Sequence, residues 1–351
     1  MKIGKVSEPI LKRSVLKYLK PNNEFEWKGA AVGADCALFW DKTDVYGLKE
    51  NGAEDSFQLR KEEEQMSSLA VGNRVFATAT ASVSGQKSPR AAARAILRAT
   101  NNLAATGAKA FAVQLHIMLP ERYREIALKR IMEAAVITAE ELEVTISGGH
   151  TEVLPDIQTP VISVTALGYA GEKYASKVYD KAKAGQDIVM TKWIGISETA
   201  YLAQEKEEEL LSRYPLFFIK SAQNLEQFYS VIPEAATAVK SGVTAMHDVA
   251  GGGIFGALWE LGERFDVGLQ VELKKIPIKQ ETVEVCEFFG YNPYEIRSDG
   301  ALLMLTDDSH ALLRALEEQG IAAAVIGVTT DGNDKVILND DEKRFLEPPR
   351  K

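Results

Sequence analysis

Apolar and polar positions along the chain alternate between helical and strand periods. Ile10, Leu11, Val15 and Leu19 fall on one stripe and predict a first helix over 9–19, ended by Pro21-Asn22-Asn23. Residues 31–40 and 74–80 form apolar runs of strand length. Ser88-Pro89 opens a helix, with serine suited to the N-cap, proline to the first turn and Gly107 to the stop. The interior of that helix, AAARAILRATNNLAAT, is alanine-rich, which permits close packing on a sheet. A strand over 111–119, a helix over 121–141, a short strand over 143–146, a turn over 147–151 and a strand over 160–169 follow. In the second half the pattern predicts strands over 187–191, 243–246, 268–273, 301–305, 321–328 and 335–338. Between them lie helices over 197–209, 216–231, 253–261, 279–289 and 310–319.

Composition shifts at Gly171-Glu172-Lys173, and lysines cluster through Lys183, which places a domain boundary there: 1–171 and 172–351. Helices alternate with strands in both parts, so the fold class is α/β (α+β) in two domains. No short-period repeat is present. A length of 351 residues agrees with two domains, and 46% hydrophobic with 26% charged residues is a globular balance. The net charge of −9 (41 basic, 50 acidic residues) argues against nucleic acid or an anionic membrane as a partner of the whole chain. It leaves room for a small polyanion held by local N–H groups. No apolar run approaches the ~18 residues of a membrane span. The N-terminus mixes charge with apolar residues, unlike a secretion signal. Cys36 and Cys286 read as two buried thiols rather than a disulfide. The expectation is a soluble, cytoplasmic protein.

Four clusters carry candidate chemistry. In Gly148-Gly149-His150-Thr151-Glu152, two glycines admit close approach of a ligand to the backbone, and an imidazole, a hydroxyl and a carboxylate follow. A phosphate or metal-phosphate contact and a tight turn with a solvated histidine are equally supported. In Met246-His247-Asp248-Val249-Ala250-Gly251-Gly252-Gly253, a strand runs into a glycine-started helix, whose positive end favours an anion over mere close packing. It is neither a Walker loop nor a dinucleotide fingerprint. Asp35, among apolar strand residues, is either a satisfied strand-end acid or a ligand of Mg²⁺. Asn101-Asn102 either points into a site or faces solvent. His116 and His310 read as structural or exposed, and residues 205–209 as a solvated helix face.

In this order the pieces resemble the aminoimidazole ribonucleotide synthase superfamily, nearest its hydrogenase-maturation branch. They are Val-Gly-Ala-Asp-Cys-Ala around Asp35, Asn-Asn-Leu-Ala-Ala-Thr-Gly-Ala around Asn102, Gly-Gly-His-Thr-Glu-Val at 148–153, Thr-Ala-Leu-Gly at 165–168, Ala-Gly-Gln-Asp-Ile-Val-Met-Thr-Lys at 184–192 and Met-His-Asp-Val-Ala-Gly-Gly-Gly at 246–253. The resemblance implies a homodimer whose N-terminal sheets form a barrel-like interface. It also implies ATP-dependent phosphorylation and dehydration of a small-molecule substrate, and a partner in metallocentre assembly. It assigns Asn102, Gly148, Gly149, Thr151, Gly251, Gly252 and Gly253 to ATP, Asp35 and Glu152 to Mg²⁺, and His150, His247 and Asp248 to catalysis. Ala81 and Asn102 stand where relatives often carry Asp, which implies weakened Mg²⁺ binding. The carbamoyl dehydratase of the superfamily uses a C-terminal cysteine, whereas this sequence ends Phe-Leu-Glu-Pro-Pro-Arg-Lys. Thiocyanate formation on its own tail is therefore not expected. These departures frame an alternative: a catalytically degenerate member that binds a nucleotide or metabolite, or assists metallocentre assembly.

Overall fold

The computed structural model describes residues 8–14, 16, 26–28, 37–40, 74–86, 88–171 and 182–348. Asp35, Cys36 and the polar stretch 50–64 lie outside the described residues, as does most of the linker after Gly171.

The strands are β1 Glu26–Lys28, β2 Ala37–Trp40, β3 Arg74–Ser84, β4 Ala108–Pro120, β5 Thr145–Leu154, β6 Val161–Gly171, β7 Asp187–Thr191, β8 Ala245–Val249, β9 Gly268–Glu272, β10 Ala301–Thr306, β11 Ala323–Thr330, β12 Lys335–Asn339 and β13 Glu342–Phe345. The helices are α1 Glu8–Ser14, α2 Ala91–Ala104, α3 Glu125–Glu141, α4 Ile196–Glu205, α5 Glu207–Leu210, α6 Leu216–Asn224, α7 Ile232–Lys240, α8 Gly253–Phe265, α9 Gln280–Phe289 and α10 Ser309–Glu317.

Two mixed sheets result. The first has the order β1-β2-β3-β6-β4-β5 and the second β13-β12-β9-β11-β7-β10-β8. Alternating helices and strands suggest parallel pairing, yet most neighbours are antiparallel, and only β4–β5 and β12–β9 run parallel. The reason is a split crossover. Strands β3 and β4, joined through α2, run alike but do not touch, because β6 inserts antiparallel between them.

Sheet pleating gives the first sheet two unlike faces. Ala79, Val83, Leu115, Ile117, Ile162 and Val164 point inward and pack against Ala92, Ala95, Ile96, Ala99 and Leu103 of α2. Alanines on α2 let its backbone lie close to the strands. The opposite face has no covering element among the described residues. It presents Thr80 beside Thr165 and Ser82 beside Ser163, each pair of hydroxyls 3.0 Å apart. Phe111 and Tyr169 stack on the same face with ring centroids 5.3 Å apart.

Several expectations change. The predicted turn at 147–151 is strand: β5 continues through it as the edge partner of β4. Gly148 and Gly149 take φ of 146° and 150°, and a register shift beside Ser147 absorbs the extra residue, so the chain stays extended without turning. Helix α2 begins at Ala91, because Ser88 and Pro89 form a turn ahead of it. Helix α7 was not expected; Pro233 supplies its first turn. The helix expected over 216–231 stops at Asn224 and tightens into one 3₁₀ turn, Leu225–Phe228.

Candidate functional site

Helix α2 belongs to the first sheet by its apolar stripe, but its other side is docked on the second domain. Leu97 packs with Ile196, Ala200, Leu225 and Tyr229. Ala104 and Ala105 pack with Val231, Ala235 and Met246. Polar residues on the same helix therefore meet the second sheet at a buried seam.

Asn102 faces Asp248. With its amide nitrogen turned toward the seam, Asn102 Nδ2 lies 3.2 Å from Asp248 Oδ2 and 3.1 Å from the Arg98 carbonyl, donating to both. One turn earlier, Arg98 Nε and Nη2 donate to the two carboxylate oxygens of Asp299 at 2.8 and 3.0 Å. Asp299 is 4% exposed. Burial alone would push its carboxyl up, but the Arg98 charge and hydrogen bonds, with Arg297 and Ser197, hold it below the ordinary range. Asn101 reaches between the domains as well. Its Nδ2 donates to the Tyr229 carbonyl at 2.7 Å, and its Oδ1 accepts from Val231 N at 3.0 Å.

The same segment is gripped from the other side. Lys192 Nζ donates to the carbonyls of Phe228 and Ser230 at 2.9 and 2.6 Å and meets Glu234 Oε1 at 2.5 Å. Burial lowers the Lys192 pKa, with Glu234 opposing that shift. Lys192 itself sits at φ 53°. Residues 228–231 are thus a strap between Asn101 and Lys192.

The strand that carries Asp248 splits the His-Asp pair. Consecutive residues on β8 face opposite ways. Asp248 shares its face with Met246 and looks toward α2. His247 shares its face with Ala245 and Val249 and lies beneath α8, its Nε2 3.4 Å from Glu260 Oε2. It is 3% exposed.

Glycines 251–253 lead into α8. Gly252 has φ 91° and Gly253 φ 63°. A Cβ on Gly253 would stand 2.4 Å from the Tyr294 carbonyl and 2.7 Å from that of Ile296, so close packing of the 294–296 loop is one reason for glycine there. Gly251 is exposed, with open space where a Cβ would point, and its backbone is approachable by a ligand.

The other cluster is elsewhere. His150 is paired across the ladder with exposed His116, and so lies on the uncovered face of the first sheet. Glu152 shares that face, its Oε2 3.7 Å from His150 Nε2. Helix α2, carrying Asn102, lies on the other face. Within one chain, then, Asn102 and Asp248 come together while His150 and Glu152 do not join them; Thr151, paired with Ile117, alternates to the other face.

No group of three or more His, Cys, Asp or Glu able to hold a metal ion occurs among the described residues. Of the two residues expected to hold Mg²⁺, Glu152 is described and Asp35 lies outside those residues. Arg98, Asp299, Lys192 and Glu234 were not anticipated as seam residues. The second of two arginines in an alanine-rich helix, four residues before Asn102, was the readable signal, as was an acid in Ser298-Asp299-Gly300 just ahead of an apolar strand.

Comparison with known proteins follows this division. Residues 67–170 match the profile of AIR synthase related protein, N-terminal domain, and residues 183–339 that of its C-terminal domain. The chain is 27% identical over 248 residues to a hydrogenase expression/formation protein of Methanocaldococcus jannaschii, covering 70% of this chain and 71% of the relative. It is 24% identical over 240 residues to carbamoyl dehydratase HypE of Rhizobium leguminosarum, covering 66% of each. The crystal structure of the hydrogenase maturation protein HypE in complex with ATP superposes with a TM-score of 0.64 at 18% identity, covering 78% of this chain and 85% of that one. At that identity the likeness shows the fold.

Proposed function

The chain belongs to the AIR synthase-related family, and on that premise we propose that it is an ATP-binding protein of the hydrogenase-maturation type. The observation that carries this reading is the seam where Asn102 and Arg98 of one domain meet Asp248 and Asp299 of the other, beside the glycine-started helix α8. The phosphates would lie along that helix end, where exposed Gly251 and half-buried Gly252 offer backbone N–H groups. ATP held there would transfer its γ-phosphoryl group to a substrate oxygen with release of ADP, and that oxygen would then depart as inorganic phosphate. Asp248 and Asn102 orient what enters the seam. Boundaries at 171/172, a cytoplasmic location and a partner in metallocentre assembly fit the same reading.

The uncovered sheet face supports a homodimer. Phe111 is 42% exposed and Tyr169 37% exposed, with paired hydroxyls beside them, and a second copy of the same face would bury both rings.

A second reading rests on its own observation. Both seam acids are already engaged, Asp248 with the Asn102 amide and Asp299 with Arg98. A site whose carboxylates are so occupied suits nucleotide or metabolite binding without turnover. Isothermal calorimetry with ATP and ADP, with and without Mg²⁺, tests the shared part: saturable heat is expected, weakened at least tenfold in Asp248→Ala. Flat titrations with both nucleotides would sink the ATP-dependent enzyme and the nucleotide-binding form of the second reading alike. Phosphate release by the wild-type protein then selects the enzyme. Release gained only in Ala81→Asp/Asn102→Asp selects the degenerate member.

A further inference from the structure

A cavity of about 160 Å³ opens at the seam, and among the described residues no side chain fills it. Its walls come from both domains. The end of α2 and the start of β4 supply Ala104, Ala108 and Ala110, Val144 closes the back, and α7 supplies Ile232 and Ala235. The floor is largely buried: Ala104, Ala108, Ala110, Val144 and Ala235 are each at most 8% exposed. The mouth opens beside Ala236 and Lys109, whose ammonium leans toward Glu143 at 3.4 Å outside the cavity.

Polar groups in the lining are spent internally. The Thr100 hydroxyl donates to the carbonyls of Ile96 and Leu97, both at 3.0 Å. Gly107 N donates to the Ala104 carbonyl, and the backbones of Ala108 and Ala110 are in the β4–β6 ladder. A water molecule needs two to four polar partners to settle, and this floor offers none. The space is large enough for one ring or a short aliphatic chain. Enclosed apolar cavities of about 150 Å³ take up benzene or xenon, and this one offers comparable apolar walls behind an open mouth.

The geometry points to a binding site for a small neutral apolar molecule of single-ring size, wedged between α7 and the first domain. Because α7 follows directly on the strap 228–231 that Asn101 and Lys192 hold, occupancy ties the two domains together. The site does not depend on nucleotide binding.

Benzene is the probe. In the full-length protein with labelled methyl groups, titration is expected to give saturable shifts at Ile232, Val144, Val239 and Leu142 and slower amide hydrogen exchange across 232–240. Ala235→Leu, which places a larger side chain on the floor, is expected to weaken binding at least tenfold. Should that variant fail to fold, Ala236→Leu narrows the mouth and is expected to do the same. Wild-type crystals under xenon pressure are expected to show one atom in the cavity. Absence of shifts up to the solubility limit, xenon elsewhere only, or shifts that persist unchanged in the filled variant would overturn the proposal.

Discussion

Asn102 and Asp248 lie in different domains, and the amide of one donates to the carboxylate of the other at 3.2 Å. Asn102 therefore contributes a neutral donor at a place where a second acid would be repelled.

Replacing Asn102 with Asp should set two carboxylates against each other and remove a donor. A loss of about 1–3 kcal/mol at pH 7 is expected in urea unfolding. Like charges this close raise the pKa of one of them, so the loss should shrink as pH falls toward 5 and that group takes up a proton. A variant as stable as the wild type at pH 7 would show that the contact carries nothing.

Arg98→Ala leaves Asp299 buried without its cation and should cost about 3–5 kcal/mol. Replacing both, Arg98→Met with Asp299→Leu, should cost less than the single change, because no isolated charge remains. In the wild type the Asp299 carboxyl is held below its ordinary value. The pair's contribution is thus fully present at neutral pH. It is lost as pH falls below about 4, through the folded-state value, as proton uptake comes to favour the unfolded chain.

Gly149 cannot carry a side chain. A Cβ there would stand 1.7 Å from the Leu115 carbonyl, whereas one at Gly148 meets nothing within 4 Å. Both glycines hold positive φ, so Gly148→Ala should cost about 1–3 kcal/mol of backbone strain alone. Gly149→Ala should cost more and detach β5 from β4. Amide exchange over 145–154 distinguishes the two: it should rise sharply only in the second.

Cys286 is 1% exposed, and burial pushes its thiol up to about 12. Almost no thiolate forms at pH 8, so labelling should proceed only through opening of the fold. In a Cys36→Ser background, the rate with a disulfide reagent should match the rate of unfolding and rise with urea. Rapid stoichiometric labelling of the folded protein would contradict the burial.

Much was written into the sequence itself. The alanine-rich run, the strand periods and the order of the glycine clusters announced two mixed α/β domains and their family, because local periodicity and local backbone freedom are properties of neighbouring residues. The sequence also marked Asn102 and Asp248. Only tertiary structure decided that they touch, that His247 turns its back on Asp248, and that His150 sits on the far side of a sheet. Facing is set by strand pleat and by which helix a sheet face buries, and both depend on partners tens of residues away or, for Asn102 and Asp248, well over a hundred. The same holds for Arg98 and Asp299, which are unremarkable apart and become a buried ion pair only when α2 docks across the seam.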